Sequence, residues 1–89
     1  MNSSESWRVV IVNTAAKDIA SLPNIYYERI ANAIDAITVN PFSGDTLKLH
    51  GNQNLWRRRV GDYRIIFEAV LSRRIVFIYE ITRRTSKTY

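Results

Sequence analysis

The sequence contains no cysteine, one histidine, two prolines and three glycines among its 89 residues. The absence of cysteine excludes disulfide-stapled scaffolds, cysteine-ligated zinc sites and thiol catalysis. No apolar run approaches the roughly 18 residues that a membrane-spanning helix requires, so we expect no transmembrane segment. The first residues have neither the basic nor the apolar region of a secretory signal, and we expect a cytoplasmic location.

The motifs of several common enzyme classes are also missing. The sequence has no glycine-rich phosphate loop, no Gly-x-Ser-x-Gly nucleophile elbow and no pair of carboxylates spaced for acid–base catalysis. The single histidine, His50, stands beside Gly51 in a polar segment, which is more typical of a turn than of a metal site. We therefore expect no metal and no cofactor.

Positive charge is what the sequence has in excess. It carries 13 Lys and Arg against 8 Asp and Glu, a formal net charge of +5. Residues 1–44 contain three bases and four acids, whereas residues 45–89 contain ten bases and four acids. The cationic half indicates a polyanion, an acidic protein partner, or both as ligands.

Hydrophobic spacing predicts a single domain over residues 1–89, with one strand, two helices and four further strands. The predicted strands are 7–12, 46–49, 55–60, 63–70 and 75–81, and the predicted helices are 15–22 and 25–39. Asn13 or Thr14 is expected to cap the first helix, while the polar tail from residue 82 shows no periodicity. The predicted fold class is α+β: an N-terminal strand, a two-helix antiparallel hairpin, and a mainly antiparallel twisted sheet with the helices on one face.

The strands at 55–60 and 63–70 flank Gly61 and Asp62, which are typical of a two-residue hairpin turn. With these two residues as the loop, Arg59 lies opposite Arg64 and Arg57 lies two positions along the same strand. Side chains alternate between the faces of a sheet, so the three arginines are expected on the face away from the helices. Arg58 then falls on the core face, where its head must reach water past the helices unless a bulge shifts the strand.

Like charges directly opposite on paired strands are destabilising, whereas a favourable cross-strand pair contributes roughly 0.2–1 kcal/mol. Three converging arginines therefore favour an anion site, since guanidinium donates paired hydrogen bonds to phosphate and stays charged. The alternative is that the arginines spread into water or pair with Glu68 and Glu80.

Three segments together resemble a known family. They are Leu47-Lys-Leu-His-Gly51, the central Trp56-Arg-x-Arg-Val-Gly-Asp-Tyr-Arg64, and the terminal Ile81-Thr-Arg-Arg-Thr-Ser-Lys-Thr-Tyr89. They resemble the RelE/ParE superfamily of bacterial and archaeal toxins, and the resemblance covers essentially the whole chain. The central segment is its most specific part.

The RelE branch of this superfamily consists of ribosome-dependent mRNA endonucleases of type II toxin–antitoxin systems. The resemblance implies a metal-independent endoribonuclease in which the RNA 2′-hydroxyl attacks the adjacent phosphate, and which inhibits translation and growth. It implies two kinds of partner, mRNA on the ribosome and a cognate acidic RelB-like antitoxin. The site residues that it implies are Arg57, Arg59, Arg64, Arg83 or Arg84, and Tyr89 as catalytic, with Lys48, Arg58 and Lys87 binding RNA.

One departure and two alternatives accompany this resemblance. The best-known endonucleases have lysines where this chain has Arg57 and Arg59, and arginine is a poor general base. This departure leaves three possibilities: another group accepts the proton, RNA cleavage is slower than in those endonucleases, or this chain acts on a different target. The alternatives are a ParE-like toxin that inhibits DNA gyrase without cleaving RNA, and a binding module whose basic face holds only an acidic antitoxin.

Overall fold

The computed structural model describes residues 6–49, 51 and 54–83. The elements follow the predicted order: β1 (Arg8–Ile11), α1 (Asn13–Ala20), α2 (Asn24–Val39), β2 (Thr46–Lys48), β3 (Leu55–Val60), β4 (Tyr63–Val70) and β5 (Ile75–Arg83). The bounds of β3 and β4 are those predicted, while β5 runs two residues further than expected. His50 lies outside the described residues. No helix in the described part of the chain is long and apolar enough to cross a bilayer.

The five strands form one sheet in the order β1-β5-β4-β3-β2. The three ladders that join β2 to β5 are antiparallel, as sequential strands with short connections allow. The remaining ladder, between β1 and β5, is parallel, and the two helices carry the chain from β1 at one edge of the sheet to β2 at the other. The structure therefore confirms the predicted α+β fold.

The helices cover one face of this sheet and form the core there. Alternate residues of β4 point into it, and Phe67 and Ile65 are fully buried. The second helix contributes Ile30 and Ile37, seven residues apart on one helical face. This arrangement confirms the predicted core face and leaves the opposite face of the sheet without a covering layer among the described residues.

The first helix is attached to β5 rather than capped by its own side chains. Its N-cap residue is Val12, so the prediction that Asn13 or Thr14 caps the helix is wrong. The Thr14 hydroxyl instead donates to the carbonyl of Tyr79 at 2.8 Å, and the Asp18 carboxylate accepts the Ile81 amide at 2.9 Å. Because β1 pairs with β5 only as far as Ile78, these side chains satisfy backbone groups of β5 beyond the end of β1.

Candidate nucleic-acid interface

The β3–β4 hairpin has the register that the sequence predicts. Val60 pairs with Tyr63 across the turn, and Arg59 pairs with Arg64. The turn begins at Gly61, whose φ of 60° lies in the left-handed region that glycine adopts without a Cβ clash. A two-residue loop leaves no freedom to slide the strands, and this fixes which side chains share a face.

The arginine face, comprising Arg57, Arg59 and Arg64, lies on the side of the sheet away from the helices. Arg59 and Arg64 are exposed, whereas Arg57 is only 8% exposed. Arg57 therefore shares the predicted face but is buried within it. Its strand neighbours are Leu47 on β2 and Ile66 on β4, so the stem of Arg57 lies between two apolar positions.

Asp45, in the loop before β2, interacts with two members of the arginine face. Its Oδ1 lies 3.6 Å from Nη1 of Arg57, and its Oδ2 lies 3.7 Å from Nε of Arg59. The carboxylate itself is more than half exposed. Nη1 of Arg57 is buried and makes no hydrogen bond within the described residues. One carboxylate therefore serves two guanidiniums, and the arginine face keeps a net positive charge.

The alternative of pairing with Glu68 and Glu80 is not what the described residues show, since the acidic partner is Asp45. Glu68 instead accepts a hydrogen bond of 2.5 Å from the hydroxyl of Tyr79 on the same face. This hydrogen bond, partial burial and the Glu68 charge, in decreasing order, raise the pKa of Tyr79 above 10.0. Sequence reasoning identified neither Asp45 nor Tyr79 as part of this face.

Two of the predicted RNA-binding residues lie on the opposite face. Lys48 pairs with Trp56 in the β2–β3 ladder, and its ammonium lies 5.9 Å from the centre of the Trp56 ring. Arg58 is half-buried on the helix face, as predicted, and no bulge interrupts its ladders with β2 and β4. Its Nη1 donates to the carbonyl and the hydroxyl of Ser43.

Arg83 also lies apart from the arginine face. It pairs with Tyr63, whose side chain is buried under the helices, and its guanidinium approaches the rings of Tyr26 and Tyr63 at about 6 Å. An exposed ion pair of 3.8 Å joins it to Asp62. Arg83, which the resemblance offers together with Arg84 as a catalytic residue, therefore lies on the opposite side of the sheet from the arginine face. The other predicted residues, Arg84, Lys87 and Tyr89, lie outside the described residues.

Comparisons with known proteins agree with the resemblance. A family model described as the ParE toxin of the type II toxin–antitoxin system, parDE, matches residues 7–87. A protein named putative toxin RelE1 from Methanocaldococcus jannaschii is 27% identical over 81 residues, which cover 88% of this chain and 90% of that protein.

Solved structures of RelE proteins have the same fold. The RelE–RelB complex from Pyrococcus horikoshii matches with a TM-score of 0.81 at 29% identity, covering 92% of this chain and 99% of that chain. The isolated E. coli RelE toxin also matches at 0.81, over 92% of this chain and 88% of that chain, and its 14% identity shows the fold alone. The chain therefore belongs to the ParE toxin family within the RelE/ParE superfamily, and it is a toxin of a type II toxin–antitoxin system.

Proposed function

We propose that this toxin is an endoribonuclease that cuts mRNA on the translating ribosome, and that the arginine face holds the scissile phosphate. The observation that carries the proposal is the direct cross-strand pairing of Arg59 with Arg64, both exposed, with Arg57 on the same face. Such a pair of like charges lowers the stability of the fold. It suits a nuclease, because a dianionic phosphorane is stabilised between two fixed cations.

The proposed reaction takes both its nucleophile and its leaving group from the RNA. The 2′-hydroxyl attacks the adjacent phosphorus, the bond to the 5′-oxygen of the next nucleotide breaks, and the products are a 2′,3′-cyclic phosphate and a 5′-hydroxyl. The protein contributes in-line orientation and stabilisation of charge on the phosphate oxygens. Arginine keeps its proton at physiological pH, so the proposal gives these residues no part in proton transfer.

The ion pair with Asp45 has a consequence for this reaction. The Arg57 guanidinium is buried and in contact with the Asp45 carboxylate, so an RNA phosphate must displace that carboxylate to accept a hydrogen bond from Nη1. Asp45 is exposed and lies in the loop before β2, which leaves its side chain room to turn away. Arg59 and Arg64 offer the first contact, since both are open to solvent.

The resemblance adds two residues to this proposal. Arg83 is the last residue of β5 and is engaged on the helix face, which favours Arg84 as the further phosphate-binding residue. Tyr89 is proposed to stack on a base next to the cleaved bond, as aromatic side chains do on single-stranded RNA. Lys48 and Arg58 are less suited to bind the same phosphate, because both lie on the helix face.

We also propose that an acidic antitoxin binds this chain. The RelE structures from Pyrococcus horikoshii and Mycobacterium tuberculosis were solved as toxin–antitoxin complexes. The net charge of +5 favours an acidic partner. Large apolar side chains such as Val39, Leu47 and Leu71 are 57–73% exposed, and a segment that folds on binding would bury them.

Inhibition of DNA gyrase is the second candidate function, and the match to the ParE toxin model favours it. A protein target needs no pair of arginines facing each other, so the arginine face argues for RNA. The two functions differ in what induction of the toxin does to nucleic acids in the cell.

Primer extension on a translated reporter mRNA, before and after induction, tests the proposal. We expect new 5′ ends at discrete positions within the reading frame, and none when the start codon of the reporter is removed. The matched control is Arg8→Ala, which removes an exposed strand arginine at the opposite edge of the sheet and should cut as the wild type does. Intact mRNA together with broken chromosomal DNA would refute the nuclease and favour the gyrase target.

A further inference from the structure

The loop before β2 lies against both faces of the sheet. On the helix face, the Arg58 guanidinium donates to the carbonyl of Ser43 at 3.3 Å and to its hydroxyl at 3.2 Å. Two residues later, the Asp45 carboxylate contacts Arg57 and Arg59 on the other face. Three consecutive arginines of β3 therefore hold one short loop from opposite sides.

Gly44, between these two contacts, lies directly against the Arg58 guanidinium, which would have to move to admit a side chain there. Its φ is +71°, in the left-handed region that residues with a Cβ rarely adopt. A Cβ built at this position would lie 2.8 Å from both Cζ and Nη2 of Arg58. The Arg58 guanidinium thus rests directly on the backbone of Gly44, and Nε of Arg58 is buried without a hydrogen-bond partner in the described chain.

The backbone on either side of Gly44 is also held. The Thr46 hydroxyl donates to the Ser43 carbonyl at 2.6 Å, and the Thr46 amide donates to the Gly44 carbonyl at 3.0 Å. The amide of Arg59 donates to the carbonyl of Asp45 at 2.9 Å. With its backbone fixed in this way, Asp45 can leave the arginine face only by turning its side chain or by moving the whole loop.

We propose that Arg58 and Gly44 are positioning residues that hold the Asp45 carboxylate against Arg57 and Arg59, and that this contact limits how tightly the arginine face binds an RNA phosphate. The inference rests on the proposed function, because it takes the arginine face as the phosphate site. Its consequence is unusual for a basic residue: loss of the Arg58 side chain should increase affinity for RNA, since it releases an internal anion that competes for two other arginines.

The test is the affinity of the folded toxin for a short single-stranded RNA oligonucleotide, measured by fluorescence anisotropy over a range of salt concentrations. Asp45→Asn removes the competing charge directly, and we expect binding on the order of two- to fivefold tighter for each arginine released. Arg58→Gln and Gly44→Ala should tighten binding in the same direction. The salt dependence should steepen by about 0.7 in the log–log slope for each phosphate newly neutralised.

Two controls separate positioning from bulk charge. Arg73→Gln removes the same charge from the exposed turn before β5 and should leave binding unchanged or slightly weaker. Arg58→Lys keeps a donor near Ser43 and should bind as the wild type does. In the Asp45→Asn background, Arg58→Gln should add no further tightening, because the group that it positions has lost its charge.

The possible failures have different meanings. If Asp45→Asn tightens binding but neither Arg58→Gln nor Gly44→Ala does so, the positioning role is wrong and the phosphate site stands. If Arg58→Gln weakens binding by the same factor in the wild-type protein and in the Asp45→Asn variant, Arg58 contacts RNA itself and the positioning role is wrong. If Asp45→Asn leaves affinity unchanged, the arginine face is not the phosphate site, and the proposed function loses its support together with this inference. Gly44→Ala retains every charge, and circular dichroism establishes that each variant is folded.

Discussion

Substitution of Arg64 by alanine should change activity and stability in opposite directions. Loss of one charge-assisted hydrogen bond to the phosphate in the transition state costs about 1.5–3 kcal/mol, and we expect kcat/KM for RNA cleavage to fall about 10- to 150-fold. The same change removes one of two like charges that face each other across the β3–β4 ladder. Relief of that repulsion is worth roughly 0.2–1 kcal/mol, which for a domain of this size corresponds to a Tm higher by about 1–6 °C.

Both quantities are measurable on one protein preparation. Cleavage is followed on ribosomes programmed with a defined mRNA, and unfolding is followed by circular dichroism. Because the Arg64 side chain is exposed, its truncation leaves no cavity that would obscure the stability change. Arg8→Ala, at the opposite edge of the sheet, should change neither value appreciably. Undiminished cleavage by folded Arg64→Ala protein would refute the assignment of the phosphate site, and a Tm lowered by several degrees would refute the claim that the pair opposes stability.

Three further predictions concern the core, the outer face and the end of β5. Phe67→Ala empties a fully buried position and should lower the free energy of unfolding by about 3–5 kcal/mol in a denaturant titration; a loss below 1 kcal/mol would contradict the assigned core. The hydrogen bond to Glu68 raises the pKa of Tyr79, so its contribution to the stability of the fold is present below pH 10 and is lost as pH rises through the folded-state pKa. Glu68→Gln should therefore move the alkaline absorbance transition of Tyr79 to lower pH. Arg83→Ala should cost about 0.5–1 kcal/mol of stability and spare cleavage, whereas Arg84→Ala should reduce cleavage; equal reduction by both would contradict the separation of Arg83 from the site.

The sequence predicts the central hairpin because the information needed is local. Gly61 and Asp62 are typical of a two-residue turn, and with that turn the shared face of Arg57, Arg59 and Arg64 follows from counting outward along the two strands. The partner of β2 lies beyond a connection that runs from residue 49 to residue 54, whose length does not define a register. For this reason the contact of Asp45 with the arginine face was not predicted. In the β2–β3 ladder Thr46 pairs with Arg58, and this register places Asp45 beside Arg59.

The placement of Arg83 depends on one irregularity that the sequence does not reveal. Phe67 pairs with Ile78 and Ile66 pairs with Glu80, so Tyr79 is an extra residue in β5. Continuous alternation from Ile78 would place residue 83 on the outer face, whereas the bulge reverses the alternation and places it on the helix face. Residues 75–81 are almost wholly apolar, and Glu80 as the one charged residue among them is too little to reveal such a reversal.

The proposed phosphate site makes demands on these strands that differ from the demands of a stable fold. A sheet face that served stability alone would place an acid or a threonine opposite Arg59, yet this chain places Arg64 there. The compensation comes from outside the hairpin, where Asp45 balances Arg57 and Arg59 without touching Arg64 among the described contacts. In the proposed function, a phosphate that displaces Asp45 would supply the missing negative charge itself, so binding would relieve the repulsion that folding leaves in place. The arginine face is therefore expected to be more stable in the RNA-bound state than in the free protein, and the ladder from Arg57 to Arg64 should gain protection from hydrogen exchange when RNA binds.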